Sequence, residues 1–191
     1  LGFALDLSRV HFQDDFLKKM TPSMESAFQA MDELEQGAIA NRDENRMVGH
    51  YWLRNPGLAV GSHPEIADEI QKTNAAIIKF VELIHSGAKV GSTGKFKNVL
   101  HIGIGGSALG PQFLADALGN GNDRLRMFFF DNTDPDGIDR TLQQIGDELG
   151  QTLITVVSKS GGTQETRNGM IEARLACERR GVNFFQQAIA I

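Results

Sequence analysis

Several features that define whole classes of protein are scarce in this sequence of 191 residues. Cys177 is the single cysteine, so no disulfide can form within the chain and a metal cluster held by several cysteines is excluded. The apolar runs fall far short of the roughly 18 residues that a membrane-spanning helix requires. Residues 1–20 lack the basic-then-apolar pattern of a secretory signal. We therefore expect a cytoplasmic protein without a membrane segment.

An excess of positive charge is also missing from the sequence. The 19 basic residues are outnumbered by 24 acidic ones, which gives a formal net charge of -5. Proteins that bind the nucleic-acid backbone are usually basic, so we expect no nucleic-acid partner, although a local positive site is compatible with this balance. A hydrophobic fraction of 41% and a charged fraction of 23% are typical of a globular domain, here with a helical extension.

The first third of the chain carries helical signals. Thr21 and Pro22 predict the start of a helix, and Gly37 predicts its end. Residues 40–61 show no periodicity, so we expect irregular structure there. A second apolar stripe predicts a long helix that ends at Gly87.

From residue 98 onward, short apolar runs alternate with helical patterns. The predicted strands cover residues 99–104, 127–130, 153–157 and 187–191, and the predicted helices cover 111–118, 138–149 and 163–180. This alternation indicates an α/β fold, in which helices cover both faces of a parallel sheet. Ligands of such sheets bind at the carboxyl ends of the strands, near a switch in strand order.

Two loops rich in glycine and hydroxyl groups follow two of these strands. The first is Gly103–Ser107 and the second is Ser158–Thr163. A junction between a strand and a helix presents backbone N–H groups and the positive end of the helix dipole, which suits an anion such as phosphate. The pair of loops predicts a phosphorylated small molecule held between adjacent strand ends.

The first loop by itself leaves three interpretations open. It matches the dinucleotide fingerprint G-x-G-x-x-A, with Asp131 as a candidate ribose-binding acid, which would indicate a nicotinamide or flavin enzyme. It equally suits a phosphate pocket, in which the Gly105–Gly106 backbone approaches the anion and the Ser107 hydroxyl donates. It is also compatible with a tight turn that needs glycine for steric reasons alone.

The second loop favours phosphate over a dinucleotide. Three hydroxyls surround its Gly161–Gly162 pair, whereas a dinucleotide fold requires no such sequence after its third strand. Helix capping explains Thr163 alone. Lys159 could point either to the anion or to solvent.

Four segments resemble the glucose-6-phosphate isomerase family in its bacterial form. They are Ile102–Pro111, Ser158–Thr166, Arg46–Arg54 and Asn132–Pro135. The resemblance implies an N-terminal helical and irregular arm over residues 1–60. It implies a first sugar-isomerase (SIS) domain over residues 61–191, with a flavodoxin-like three-layer sandwich of helices and parallel sheet.

The resemblance also implies a function and a set of site residues. The function is an aldose–ketose isomerase of glycolysis and gluconeogenesis, which interconverts glucose 6-phosphate and fructose 6-phosphate without a metal or organic cofactor and acts as a homodimer. The residues implied to surround the phosphate of the sugar are Gly106, Ser107, Ser158, Lys159, Ser160 and Thr163. Many family members carry Asp where this chain has Ala108, a position that does not bind phosphate.

Nothing in residues 1–191 matches the family's motifs for its base glutamate, arginine, histidine and lysine, so we expect no catalytic residue here. The five histidines are interpreted as structural or solvated: His11, His50, His63, His85 and His101. The sequence stops inside an apolar strand, so we expect a truncated SIS domain of a longer polypeptide, inactive by itself. The alternatives are a non-catalytic SIS module that binds a phosphosugar for regulation and an NAD-dependent oxidoreductase.

Overall fold

The computed structural model describes residue 2 and residues 4–191. Its α-helices are α1 (Phe16–Glu35), α2 (His50–Arg54), α3 (Pro64–Ser86), α4 (Leu109–Leu118), α5 (Pro135–Ile145), α6 (Gln164–Arg179) and α7 (Phe184–Gln187). Its strands are β1 (Ile39–Asn41), β2 (Arg46–Met47), β3 (Val90–Gly91), β4 (Gly94–Lys95), β5 (Asn98–Ile102), β6 (Arg126–Phe130), β7 (Thr152–Val156) and β8 (Ala188–Ala190). Short 3-10 helices cover Pro56–Ala59, Gly105–Ser107 and Gly146–Gln151.

The chain divides into two compact units, Leu1–Ile77 and Ile78–Ile191. The division falls inside α3. The assignment of residues 1–60 to a helical arm and of residues 61–191 to an SIS domain stays a prediction, because compactness alone does not identify a domain.

Helix α1 of the first unit begins earlier than predicted. It starts at Phe16, so Thr21 is not its N-cap and Pro22 lies inside the helix. The Thr21 hydroxyl instead donates to the Leu17 carbonyl at 2.9 Å. The predicted end is confirmed, because the helix stops at Glu35 and Gly37 adopts a φ of +100°.

The core of the first unit is built around Trp52. Its side chain is 2% exposed and packs with Ala59 and Ala67, and its indole N–H donates to the Glu35 carbonyl at 2.9 Å. The prediction of irregular structure over residues 40–61 was wrong, since β2 and α2 form there and β1 pairs with β2 in an antiparallel hairpin. Elements of two to five residues are too short to show a periodic pattern.

The second unit contains a parallel sheet of four strands, with the order β6-β5-β7-β8. Each predicted strand forms within a few residues of its predicted place. On one face, Leu100, Ile102 and Ile154 pack against α5, α6 and α7. On the other face, Leu153 packs with Phe96 and with Ile84 of α3. The predicted α/β fold with helices flanking a parallel sheet is confirmed.

The strand order places a topological switch beside β5. The chain passes from β5 to β6 on one side, and then crosses to β7 on the other side of β5. The loops that follow β5 and β7 therefore lie next to each other at the carboxyl edge of the sheet, where open α/β sheets bind their ligands. Among the described residues, no helix combines the length and apolar character that crossing a membrane would require.

Candidate phosphate site at the carboxyl ends of β5 and β7

The two glycine-rich loops begin on neighbouring strands in the same register. Ile102 at the end of β5 lies opposite Val156 at the end of β7. The Val157 N–H continues this ladder by donating to the Ile102 carbonyl at 2.8 Å. Paired strands lie about 4.8 Å apart, so the two loops leave the sheet side by side.

The first loop folds as one 3-10 turn over Gly105–Ser107. Gly105 has a φ of +53°, a left-handed conformation that favours glycine. A Cβ at Gly105 or Gly106 would meet no atom within 4 Å, so space is open beside this backbone. At Gly103, by contrast, a Cβ would lie 3.0 Å from the Ser107 carbonyl oxygen. The loop therefore uses Gly103 for close packing and leaves Gly105 and Gly106 accessible to a ligand.

The second loop contains two short chains of hydrogen bonds that each lead to a hydroxyl. We call them relays; one consists of two bonds and the other of one. The Gly161 N–H donates to Ser158 Oγ at 3.1 Å, and the Ser158 hydroxyl donates to Thr163 Oγ1 at 3.2 Å. The Gly162 N–H donates to Ser160 Oγ at 3.2 Å. Each relay ends on a hydroxyl proton, that of Thr163 or that of Ser160, which is left to donate to an acceptor. Donors arranged in series strengthen one another, so both ends suit an anion.

Two details of the second loop differ from the expectation. Thr163 occupies the N-cap position of α6, but its side chain makes no capping hydrogen bond, so capping does not account for this hydroxyl. The N–H groups of Gly161 and Gly162 are not left bare, because serine hydroxyls accept from them. The donors that the loop presents are therefore hydroxyls more than backbone amides.

All six predicted residues lie at the carboxyl edge of β5 and β7. Ser107, Ser158 and Thr163 are half-buried, while Gly106, Lys159 and Ser160 are exposed. The loop from Ser158 leads directly into α6, whose 16 residues direct the positive end of a helix dipole at the same edge.

Sequence reasoning assigned no role at this edge to His101, which lies in β5 as predicted. The ring is 8% exposed. Its Nε2 lies 2.7 Å from the Ser107 carbonyl oxygen, and its Nδ1 lies 3.0 Å from Thr155 Oγ1 on β7. The side chain therefore joins the first loop to both strands. A polar residue at a buried strand position, directly before the loop, was the signal that could have identified it.

Asp131, the candidate ribose-binding acid of the dinucleotide interpretation, already has hydrogen-bond partners in this structure. Asp131 follows β6, where its Oδ2 accepts from Gln112 at 2.6 Å and its Oδ1 accepts from Asn132 at 2.6 Å. The next part of this loop caps α5, because Asp134 Oδ2 accepts from the Gly137 N–H at 2.9 Å. Its polar residues thus have local structural partners. No group of three or more His, Cys, Asp or Glu side chains within residues 4–191 could hold a metal ion.

Comparisons with known proteins agree on one family. The family model described as phosphoglucose isomerase matches residues 6–189. A glucose-6-phosphate isomerase of Geotalea daltonii is 58% identical over the whole chain, and one of Geobacter sulfurreducens is 56% identical. A crystal structure of a glucose-6-phosphate isomerase from Chlamydia trachomatis superimposes with a TM-score of 0.77 at 28% identity, covering 94% of this chain and 35% of that one. The chain spans about a third, 36%, of the length of the two curated relatives.

Proposed function

Since this chain belongs to the phosphoglucose isomerase family, we propose that it supplies the phosphate-binding loops of an aldose–ketose isomerase. The substrates are glucose 6-phosphate and fructose 6-phosphate. The phosphate lies between the first loop (Gly103–Ser107) and the second loop (Ser158–Thr163), where Gly106, Ser107, Ser158, Lys159, Ser160 and Thr163 surround it.

The observation that carries this proposal is the pair of hydroxyl-terminated relays beside an open backbone. The relays leave the protons of Ser160 and Thr163 without an acceptor among the described residues. Open space beside Gly105 and Gly106 lets an anion approach the adjacent loop. A phosphate dianion offers the acceptors that both loops lack. Hydrogen bonds to a charged group contribute roughly 1.5–3 kcal/mol each, so three or four of them support millimolar to micromolar binding.

In this mechanism the chain holds the part of the substrate that does not react. The sugar ring opens, and a carboxylate base moves a proton between C2 and C1 through an enediol. Binding energy at the phosphate orients these carbons towards the base and lowers the barrier. We assign the base and the cation that stabilises the enediol to groups outside these 191 residues.

The family match supports the isomerase over a regulatory SIS module and over an NAD-dependent oxidoreductase. We further propose that residues 1–60 are the helical arm, that residues 61–191 belong to the first SIS domain, and that the whole enzyme is a cytoplasmic homodimer. It needs no metal, organic cofactor, nucleic acid or membrane.

The proposal is tested by titrating the 191-residue chain with inorganic phosphate and with glucose 6-phosphate, followed by NMR. We expect weak binding of both and shifts of the amides in the two loops. Ser107→Ala and Thr163→Ala each remove one hydroxyl, so each should weaken binding by about tenfold or more. In the full-length enzyme, both variants should impair use of the phosphorylated sugar.

A matched control is Ser86→Ala, which removes an exposed hydroxyl at the end of α3. This variant should bind phosphate as the wild type does. Unchanged phosphate binding in both loop variants would show that the phosphate binds at another place. Robust isomerase turnover by the 191-residue chain would contradict the assignment of the catalytic groups to other residues.

A further inference from the structure

We propose that His101 is a positioning residue that fixes the first loop for phosphate through the backbone of Ser107. This inference rests on the proposed phosphate site. The residue is almost fully buried on the sheet, at 8% exposure. Its two ring nitrogens contact the first loop and β7.

The partners of the ring determine which nitrogen carries the proton. A carbonyl oxygen only accepts, so Nε2, at 2.7 Å from the Ser107 oxygen, must be the donor. In the neutral ring Nδ1 is then an acceptor, and the Thr155 hydroxyl donates to it at 3.0 Å. The structure assigns the Nε2–H tautomer to His101.

The Ser107 carbonyl needs a donor from outside α4, because it lies before the hydrogen-bond ladder of that helix. The N-cap of α4 is Ala108, whose carbonyl accepts from the Gln112 N–H at 2.9 Å, so Ser107 comes one residue before the first carbonyl of the helical ladder. A half-buried carbonyl without a donor is unfavourable. His101 supplies a donor to this carbonyl at the point where the loop becomes α4.

The other hydrogen bonds described for the Gly105–Ser107 turn of the first loop are local, which is why we expect its one bond from His101 to matter for its position. Ser107 N–H donates to the Ile104 carbonyl and Ala108 N–H donates to the Gly105 carbonyl, each at 3.0 Å, so both bonds are local. The bond from His101 connects the same turn to the sheet. With Gly105 and Gly106 at its centre, the loop is flexible by composition, and we infer that His101 preorganises it for the anion.

The experiment measures affinity for inorganic phosphate by NMR in the 191-residue chain and in three variants. His101→Leu removes both ring contacts, and we expect it to weaken phosphate binding by about tenfold. His101→Gln keeps an N–H donor and should recover part of the affinity. Thr155→Val leaves the Nε2 contact but removes the donor to Nδ1, so it should have an intermediate effect.

A histidine that only stabilises the fold would give a different pattern. The affinity for phosphate would then be unchanged in every variant that folds. His101→Gln would raise the stability relative to His101→Leu without changing the affinity. The tautomer gives a second readout that needs no variant, because nitrogen chemical shifts of the wild-type ring should identify protonated Nε2 and unprotonated Nδ1. A wild-type ring with its proton on Nδ1 would overturn the inference.

The outcomes also separate this inference from the proposed function. If the wild type binds phosphate and folded His101→Leu binds it equally well, the positioning role is wrong while the phosphate site stands. If the wild type shows no phosphate binding at all, both are wrong. His85→Leu, at an exposed position of α3, is the matched control and should bind as the wild type does.

Discussion

At the scale of single residues, Cys177 shows how burial controls chemistry. The thiol lies on α6 in the main core and its side chain is 0% exposed. Desolvation disfavours the thiolate and raises the pKa of Cys177 from 9.0 to about 11, although the nearby charge of Arg180 acts in the opposite direction. The single cysteine is therefore a packing residue with an inert thiol.

We predict that the folded chain resists alkylation between pH 9.0 and about 11, where an unfolded chain would react as the thiolate. Because the folded pKa is the higher one, this group contributes stability that is complete below pH 9.0 and lost as pH rises towards 11. Mass spectrometry after iodoacetamide treatment, with and without urea, checks the reactivity. Labelling of the folded chain at the rate of the unfolded chain would show that the thiol is accessible.

At the scale of elements, α6 lies close to the sheet because it lacks a side chain at Gly169. A Cβ there would lie 2.9 Å from Ile102 Cγ2 and 3.6 Å from Phe130 Cβ. Ile102 is the last residue of β5, directly before the first loop. The glycine therefore sets the distance between the helix that follows the second loop and the strand that precedes the first loop.

In Gly169→Ala, overpacking should cost about 1–3 kcal/mol of the free energy of unfolding. Alanine also brings a gain in helix propensity of about 1 kcal/mol over glycine, so we expect a net loss of up to about 2 kcal/mol. Urea unfolding measures the difference. Asn168→Ala, on the exposed side of the same helix, is the control and should be neutral or slightly stabilising. A Gly169→Ala variant more stable than the wild type would show that α6 can move away from the sheet without loss.

The bounds of elements also show where local patterns fail. Prolines favour the first turn of a helix, so Pro22 predicts a start there, yet α1 continues through it from Phe16. The helix end at Gly37 was predicted correctly because a left-handed glycine is itself a local signal. Local sequence therefore predicted the stop better than the start.

At the scale of the whole molecule, Glu148 joins several segments at the edge of the sheet opposite the two glycine-rich loops. Its carboxylate accepts from Lys97 at 3.2 Å and from Asn98 at 3.3 Å, and it pairs with Arg126. These partners lie before β5, in β5 and in β6, while the neighbouring Thr152 hydroxyl donates to the Glu148 carbonyl at 2.8 Å. One side chain therefore connects several segments that are distant in sequence.

The hydrogen bond from Asn98, followed by that from Lys97 and the charge of Arg126, lowers the pKa of Glu148 below its ordinary 4.5. A lowered folded pKa contributes stability that is present above pH 4.5 and lost as pH falls through the folded value. We predict that Glu148→Gln reduces the loss of stability on acidification, as measured by urea unfolding over a pH series. Glu82→Gln, at an exposed position of α3, should keep the wild-type profile, and an unchanged profile in Glu148→Gln would contradict the assignment.

The sequence by itself determined the alternation of strands and helices, the two glycine-rich loops and the family. These are local signals, since apolar periodicity, glycine and hydroxyls act within a few residues of their positions. The two loops were predicted in this way, the family resemblance implied the six site residues within them, and the structure brings the loops to one edge of the sheet. Their contacts with phosphate stay a prediction.

Only the tertiary structure decided which strands are neighbours and which polar groups are already paired. No local pattern places β7 beside β5, yet this pairing alone brings the two loops together. The bond from His101 to the loop, and the bond from Gln112 on α4 to Asp131, likewise join residues from different elements. Strand order and buried hydrogen bonds depend on the packing of the whole chain, so they become visible only once it has folded.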